Sequence, residues 1–212
     1  MNIRRNVSWL VALISSLVLM LTACSQSGTS ATGASESGAA SGGGDAKALV
    51  VYFSRTKGIE GGDLDIGHTK RVAMFIKDYM KADEYEIVPA KDYPDTYDET
   101  VEVAEKELDS DARPEIKNPL PDVSGYDTVF VGAPVWYDEY PKIIETFLDG
   151  VDLKGKTIVP FVTHEGSEMG GVQTFMEKKY SGEKVLKGLP IEGPKSAESK
   201  DAVEAWLKEL GF

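Results

Sequence analysis

Between Asp127 and Tyr137 the chain reads Asp-Thr-Val-Phe-Val-Gly-Ala-Pro-Val-Trp-Tyr, and no other stretch limits the fold as much. Val129, Phe130 and Val131 leave no polar alternation, the pattern of a strand covered on both faces in a parallel sheet. Gly132 and Pro134 are expected to end that strand, and Pro134 keeps Ala133 out of helical space. A large flat ring, Trp136, is thereby delivered on a loop at the strand's carboxyl end, the edge at which open α/β sheets bind ligands. The residues alone leave two uses open for Trp136 and Tyr137: closing the core, or lying against a ligand.

The pattern recurs along the chain. Lys47 to Phe53 is another buried-strand run and stops at Ser54-Arg55-Thr56. A loop punctuated by Gly58, Gly61, Gly62 and Gly67 leads to His68-Thr69-Lys70, which opens a helix with Val72, Ala73, Ile76 and Met80 at helical spacing. Strand, polar loop and helix N-terminus together suit an anion, because free N–H groups and the positive end of the helix dipole converge there. The hydroxyls of Ser54, Thr56 and Thr69 add donors, and Arg55 and His68 can add positive charge; helix capping by His68 or Thr69 would leave the same trace. Tyr85 to Val88 alternates like an edge strand, and Tyr97, Val101, Ala104 and Leu108 mark a helix with an acidic outer face. Pro114, Pro119 and Pro121 place an irregular crossover before the strand at Thr128.

Past Trp136, Pro141 suits the first turn of a helix that buries Ile143, Ile144, Phe147 and Leu148. Thr157 to Val162 is a fourth strand, awkward at Pro160, which has no N–H for the ladder. Thr163, His164, Glu165 and Gly166 then form a loop at the same sheet edge, where His164 and Glu165 are either an acid/base pair or a solvated pair without a role. A helix over Val172 to Tyr180, a weak strand over Lys184 to Ile191 broken by Gly188, and a helix from Ser199 as cap to Gly211 complete the chain. Five strands alternating with helices make a doubly wound parallel sheet.

The N-terminal part reads differently. Arg4 and Arg5 precede an apolar run from Trp9 to Leu21, about the length of a signal-peptide core and shorter than the ~20 residues of a membrane span. It ends in Leu21-Thr22-Ala23-Cys24, and Cys24 is the only cysteine. That quartet resembles the lipobox of bacterial lipoproteins and implies a cleaved signal over residues 1–23, lipid on Cys24 and attachment to the extracytoplasmic face of a cell membrane; an ordinary signal peptide cut near Ala23 is the alternative. Residues 24–45, rich in Ser, Gly and Ala, bury too little to fold and act as a tether reaching roughly 25 Å. About 165 residues from Ala46 to Phe212 remain, one domain's worth. A net charge of −12 excludes nucleic acid as a partner, since phosphate binding needs clustered Lys and Arg, while a basic redox partner could be steered by it.

Tyr52-Phe53-Ser54-Arg55-Thr56, then Gly67-His68-Thr69-Lys70, and later Gly132-Ala133-Pro134-Val135-Trp136-Tyr137 resemble the flavodoxin family. Residues 57–66 appear as an insertion between the halves of the family's first loop, with His68 where Asn is usual. The resemblance, over Ala46 to Phe212, implies a five-stranded sheet of order 2-1-3-4-5 with helices on both faces and FMN at the crevice between strands one and three. It places the phosphate at Ser54, Arg55, Thr56, His68 and Thr69. The flavin ring then lies against Ala133, Pro134, Val135, Trp136 and Tyr137 and the loop Thr163, His164, Glu165 and Gly166. Glu60, Asp63 and Asp65 must then face solvent to spare the phosphate, whereas Asp138, Glu139 and Glu165 near the ring would lower the flavin's potential. The function implied is electron transfer to a redox partner protein or small-molecule acceptor. An FMN-dependent quinone or small-molecule reductase is the alternative within flavin chemistry, and a flavin-free binding module the alternative outside it. A Ser/His/Glu hydrolase ranks last, because no Gly-x-Ser-x-Gly elbow is present.

Overall fold

Why the chain forms one sheet is clearest at β1 (Ala48–Tyr52), where all five residues are buried. In a computed structural model describing residues 47–212, β1 lies between β2 (Asp83–Glu86) and β3 (Thr128–Pro134). The expected export segment, Cys24 and the whole of the expected tether lie outside the described residues. β3 pairs with β4 (Thr157–His164), and every pairing is parallel. The order β2-β1-β3-β4-β5 is the expected doubly wound arrangement.

Alternation along the strands sends side chains into two cores. Leu49, Val51, Val129 and Val131 meet α3 (Lys142–Gly150) and α4 (Val172–Lys179) on one face. Val50, Tyr52, Phe130 and Phe161 meet α1 (His68–Met80) and α5 (Lys200–Glu209) on the other. Each fully buried large apolar side chain stabilises the fold by about 1.5–3 kcal/mol, so truncating Phe130 to Ala should cost about 3–5 kcal/mol. Trp206 belongs to this second core, and its Nε1–H donates to the Lys187 carbonyl at 3.0 Å. No described helix is long and apolar enough to cross a membrane.

Four local expectations shift. β3 does not stop at Gly132 but pairs with β4 through Pro134; a Cβ at Gly132 would overlap the Phe161 ring opposite, so glycine there is a packing requirement. β2 begins and ends two residues earlier than its alternation suggested, because Asn118 pulls the chain off the sheet: its Oδ1 accepts from Val88 N–H at 3.2 Å while its Nδ2 donates to the Glu86 carbonyl at 3.0 Å. The last strand is two pieces, β5 (Lys184–Val185) and β6 (Leu189–Glu192), both paired to β4. The break explains Pro160. The Ile158 carbonyl accepts from Leu186 N–H at 2.9 Å, and Pro160, two residues on, points the same way, into the gap at Gly188 where no ladder donor is needed. Finally, a short 3-10 helix (Gly193–Glu198) precedes α5; Ser199 holds the N-cap position as expected, but its hydroxyl donates back to the Ser196 carbonyl at 2.9 Å and not to an N–H of the first turn.

Candidate functional site

A cleft of about 400 Å³ opens at the carboxyl edge of β1, β3 and β4. Its walls come from the loop after β1, the start of α1, the loops after β3 and β4, and α2 (Tyr97–Asp109).

One end is built for an anion. Lys70 N–H donates to the Ser54 hydroxyl at 3.1 Å and Arg71 N–H to the Gly67 carbonyl, which leaves the N–H groups of His68 and Thr69 without a protein acceptor among the described residues. The backbone N–H groups from Arg55 to Gly58 likewise have none. Gly67 lets the loop close on the helix, since a Cβ there would overlap the Arg55 carbonyl and the Ser54 hydroxyl. Gly67, not His68 or Thr69, occupies the N-cap position of α1. The buried Thr69 hydroxyl instead meets the Thr163 hydroxyl at 2.7 Å and ties the first loop to β4.

Arg55 supplies the charge. Its guanidinium donates to Thr100 Oγ1 at 2.8 Å and to the Pro94 carbonyl, and lies 5.4 Å from the Tyr93 ring centre. It forms no ion pair with any described carboxylate, and burial lowers its pKa. An arginine left half-buried without an acid beside unpaired N–H groups is what an anionic ligand would complete. The inserted loop folds inward: Gly58, at φ +60°, packs where a Cβ would overlap Pro94 and Thr100, and Lys57 pairs with Asp95 at 2.9 Å.

The other end is aromatic. Trp136 and Glu139 exchange two backbone hydrogen bonds of 2.9 Å around Tyr137 (φ 49°) and Asp138 (φ 67°), a two-residue hairpin with both central residues left-handed. A bulky residue such as Tyr137 is uncommon in that conformation, and the local strain concentrates at the cleft mouth. The Asp138 carbonyl accepts from Gly171 N–H at 2.6 Å, seating the hairpin on α4. Trp136 stands edge-on to Phe53 and Tyr93, ring centres 5.8 and 5.2 Å away, so its indole is held rigidly while still lining the cleft. It packs on the core and lines the cleft at once. Tyr97 and Tyr137, 49% and 45% exposed, stand at the mouth.

The third wall carries acids. Buried His164 accepts Gly166 N–H on Nδ1 at 3.0 Å, which places its neutral proton on Nε2 and binds it to its own loop instead of to Glu165. Glu165 lines the cleft although it is exposed; partial desolvation and then the carboxylates of Glu60 and Glu192 raise its pKa. Glu60 is exposed, as expected, and also lines the cleft, while Asp63 and Asp65 are exposed and outside it. Asp138 and Glu139 also lie outside the lining, Glu139 reaching Lys142 at 3.6 Å.

Of the residues expected at the site, Ser54, Arg55, His68, Thr69, Pro134, Val135, Trp136, Tyr137, Thr163, His164 and Glu165 line the cleft together. Thr56, Ala133 and Gly166 do not: Thr56 is exposed and its carbonyl closes the inserted loop onto Leu64 N–H, Ala133 is buried beneath the site, and Gly166 is exposed at φ +134°. The sequence reading missed Ile59, Tyr97, Thr100, Val101 and Ala104 as lining. Tyr97, Val101 and Ala104 fall on one apolar stripe, the pattern of any helix packed on a core, so the acidic helix carrying them gives no sign of facing a ligand.

Residues 47–210 match the family model described as Flavodoxin. No curated protein compared with the chain matches it. Among solved structures, an assigned flavoprotein from Bacteroides eggerthii is 32% identical at a TM-score of 0.65, covering 78% of this chain and 98% of its own. One from Bacteroides uniformis is 30% identical at 0.64, covering 76% and 97%. A Lactobacillus acidophilus flavoprotein, solved in complex with FMN, shares the fold at 21% identity and 0.54, covering 72% and 97%. The sheet order, the cleft at its switch point and the match over residues 47–210 agree, and the chain belongs to the flavodoxin family.

Proposed function

We propose that this protein binds FMN in the cleft and transfers electrons through it. The observation that carries the reading is Arg55, a half-buried guanidinium without a carboxylate partner beside the free N–H groups of the first loop and of α1. Those groups fit a phosphate, and the part of the cleft lined by Pro134, Val135, Trp136 and Tyr137 suits a flavin ring. Ser54, Arg55, His68 and Thr69 hold the phosphate end; Pro134, Val135, Trp136, Tyr137 and Thr163 hold the ring end. When bound, FMN supplies the electron-carrying chemistry. The chain's own part is to orient the ring, exclude water from its inner side and set the charge around it. Glu60 puts negative potential beside the cleft, which disfavours added electron density and lowers the potential below that of free FMN.

A flavin fluorescence titration of the purified protein tests the reading. Saturable quenching, with a flavin absorption band that travels with the protein, supports it. Unchanged emission at micromolar protein contradicts it and leaves the flavin-free binding module. Exposed Tyr97 and Tyr137 at the mouth favour a second reading, in which a small aromatic acceptor such as a quinone is reduced there; NAD(P)H-dependent turnover without a protein partner distinguishes that enzyme from a carrier. Cys24 as a lipid anchor at the extracytoplasmic face completes the proposal, and fatty-acid labelling lost in Cys24→Ala tests it.

A further inference from the structure

The cleft holds one pair of protonatable groups that an anion site does not need. Glu165 arrives from the loop after β4 and His68 from the first turn of α1, and both lie against Gly193 at the end of β6. A Cβ built on Gly193 would overlap Glu165 Oε1 and stand 3.3 Å from His68 Nε2. The two side chains therefore flank one point, and a side chain at Gly193 would drive them apart. They form no ion pair, although both line the cleft. His68 is oriented by Ser196, whose hydroxyl is 2.8 Å from Nδ1, which leaves the Cδ2–Nε2 edge of the ring against Gly193.

The surrounding charges disfavour ionisation of both members. Facing Glu165 are Glu60 from the first loop and Glu192 from β6, the latter also paired to Lys195 at 2.7 Å. Arg71 on α1 faces His68, whose pKa is lowered by burial and then by that cation. His164, adjacent in sequence to Glu165, has its Nδ1 committed to Gly166 N–H. A phosphate with a flavin ring would add negative charge and remove water from the same space, and both effects favour the neutral carboxylic acid.

We propose that Glu165 takes up a proton when FMN fills the cleft, with His68 as its near neighbour reporting and buffering that change. This rests on the cleft being the FMN site. The step is a single equilibrium: one proton passes from solvent to the Glu165 carboxylate and no other bond changes. Because the acid is the favoured form in the complex, FMN affinity falls as pH rises through the range in which Glu165 ionises. A glutamine there, a permanently neutral isostere, removes that fall.

Isothermal titration calorimetry of FMN into the whole protein, in buffers of different ionisation enthalpy at several values across about pH 5–8, counts the protons exchanged. Comparing the unmodified protein with Glu165→Gln cancels any proton exchanged by the phosphate itself. The expected difference reaches up to about one proton taken up per FMN, lost in the variant. Equal proton counts in the two proteins, with FMN bound in both, overturn the inference while leaving the cofactor reading intact. Should FMN not bind, the reading fails by itself, and NMR titration of the His68 ring in the ligand-free protein still decides the pairing. A His68 titration moved by Glu165→Gln supports the coupled pair, and one unmoved by it overturns the pair.

Discussion

Two charged regions of this molecule treat ions in opposite ways. Around the start of α3, Lys142 lies 2.7 Å from Glu145 and 3.2 Å from Asp111, and Arg113 reaches Glu145, Asp149 and Asp111 at 2.8, 2.7 and 3.0 Å. Lys179 closes on Asp149 at 2.6 Å. Each side chain has an opposite partner, and hydrogen bonds from Lys179 and Arg113 hold the Asp149 carboxyl below the usual carboxylate range. In the cleft, Arg55 has no acid, while Glu60 and Glu165 crowd one another. The first region pins the 111–125 crossover and α4 to α3. The second carries uncompensated charge that lowers the free protein's stability, as sites shaped for a ligand commonly do.

The contrast breaks if the network proves dispensable. Glu145→Ala removes the closest partner of a lysine whose side chain is only 10% exposed, and should cost about 3–5 kcal/mol in urea unfolding, with FMN affinity of the folded protein unchanged. Arg55→Met should do the reverse. Losing hydrogen bonds from a charged group to the phosphate weakens FMN by roughly 10- to 100-fold, about 1.5–3 kcal/mol, while the urea midpoint moves little. Trp136→Ala should weaken FMN about tenfold and riboflavin equally, because an aromatic wall acts on the ring.

The smallest effect concerns pH. Folding raises the pKa of Glu165, so its contribution to stability is fully present below the ordinary carboxylate range and is lost as pH rises through its folded value. Glu165→Gln should therefore flatten the decline of the unfolding midpoint as pH rises above the ordinary carboxylate range. An unchanged pH profile would show that the acid is well solvated in the folded protein.

Much of the fold was legible because β1, β3 and β4 are buried on both faces and announce it by unbroken apolar runs. What escaped depends on distant partners. β2 lost its last two expected residues to Asn118, some thirty residues away. The hairpin at Trp136–Glu139 was hidden because Tyr137-Asp138 lacks the Asn-Gly signature of such turns. In the cleft, Ser54, Arg55 and Trp136 were legible from type and position. That α2 forms a wall, and that Glu60 lines the cleft, follow from the inserted loop folding onto Pro94 and Thr100, which no local pattern encodes.

The claim that Arg55 waits for a phosphate is tested most directly by the affinities of FMN and riboflavin for the unmodified protein and for Arg55→Met. The account expects FMN to be preferred by about 100-fold in the former, with that preference largely lost in the variant while riboflavin binding stays the same. Equal losses for both ligands, or an undiminished preference in the variant, would contradict it.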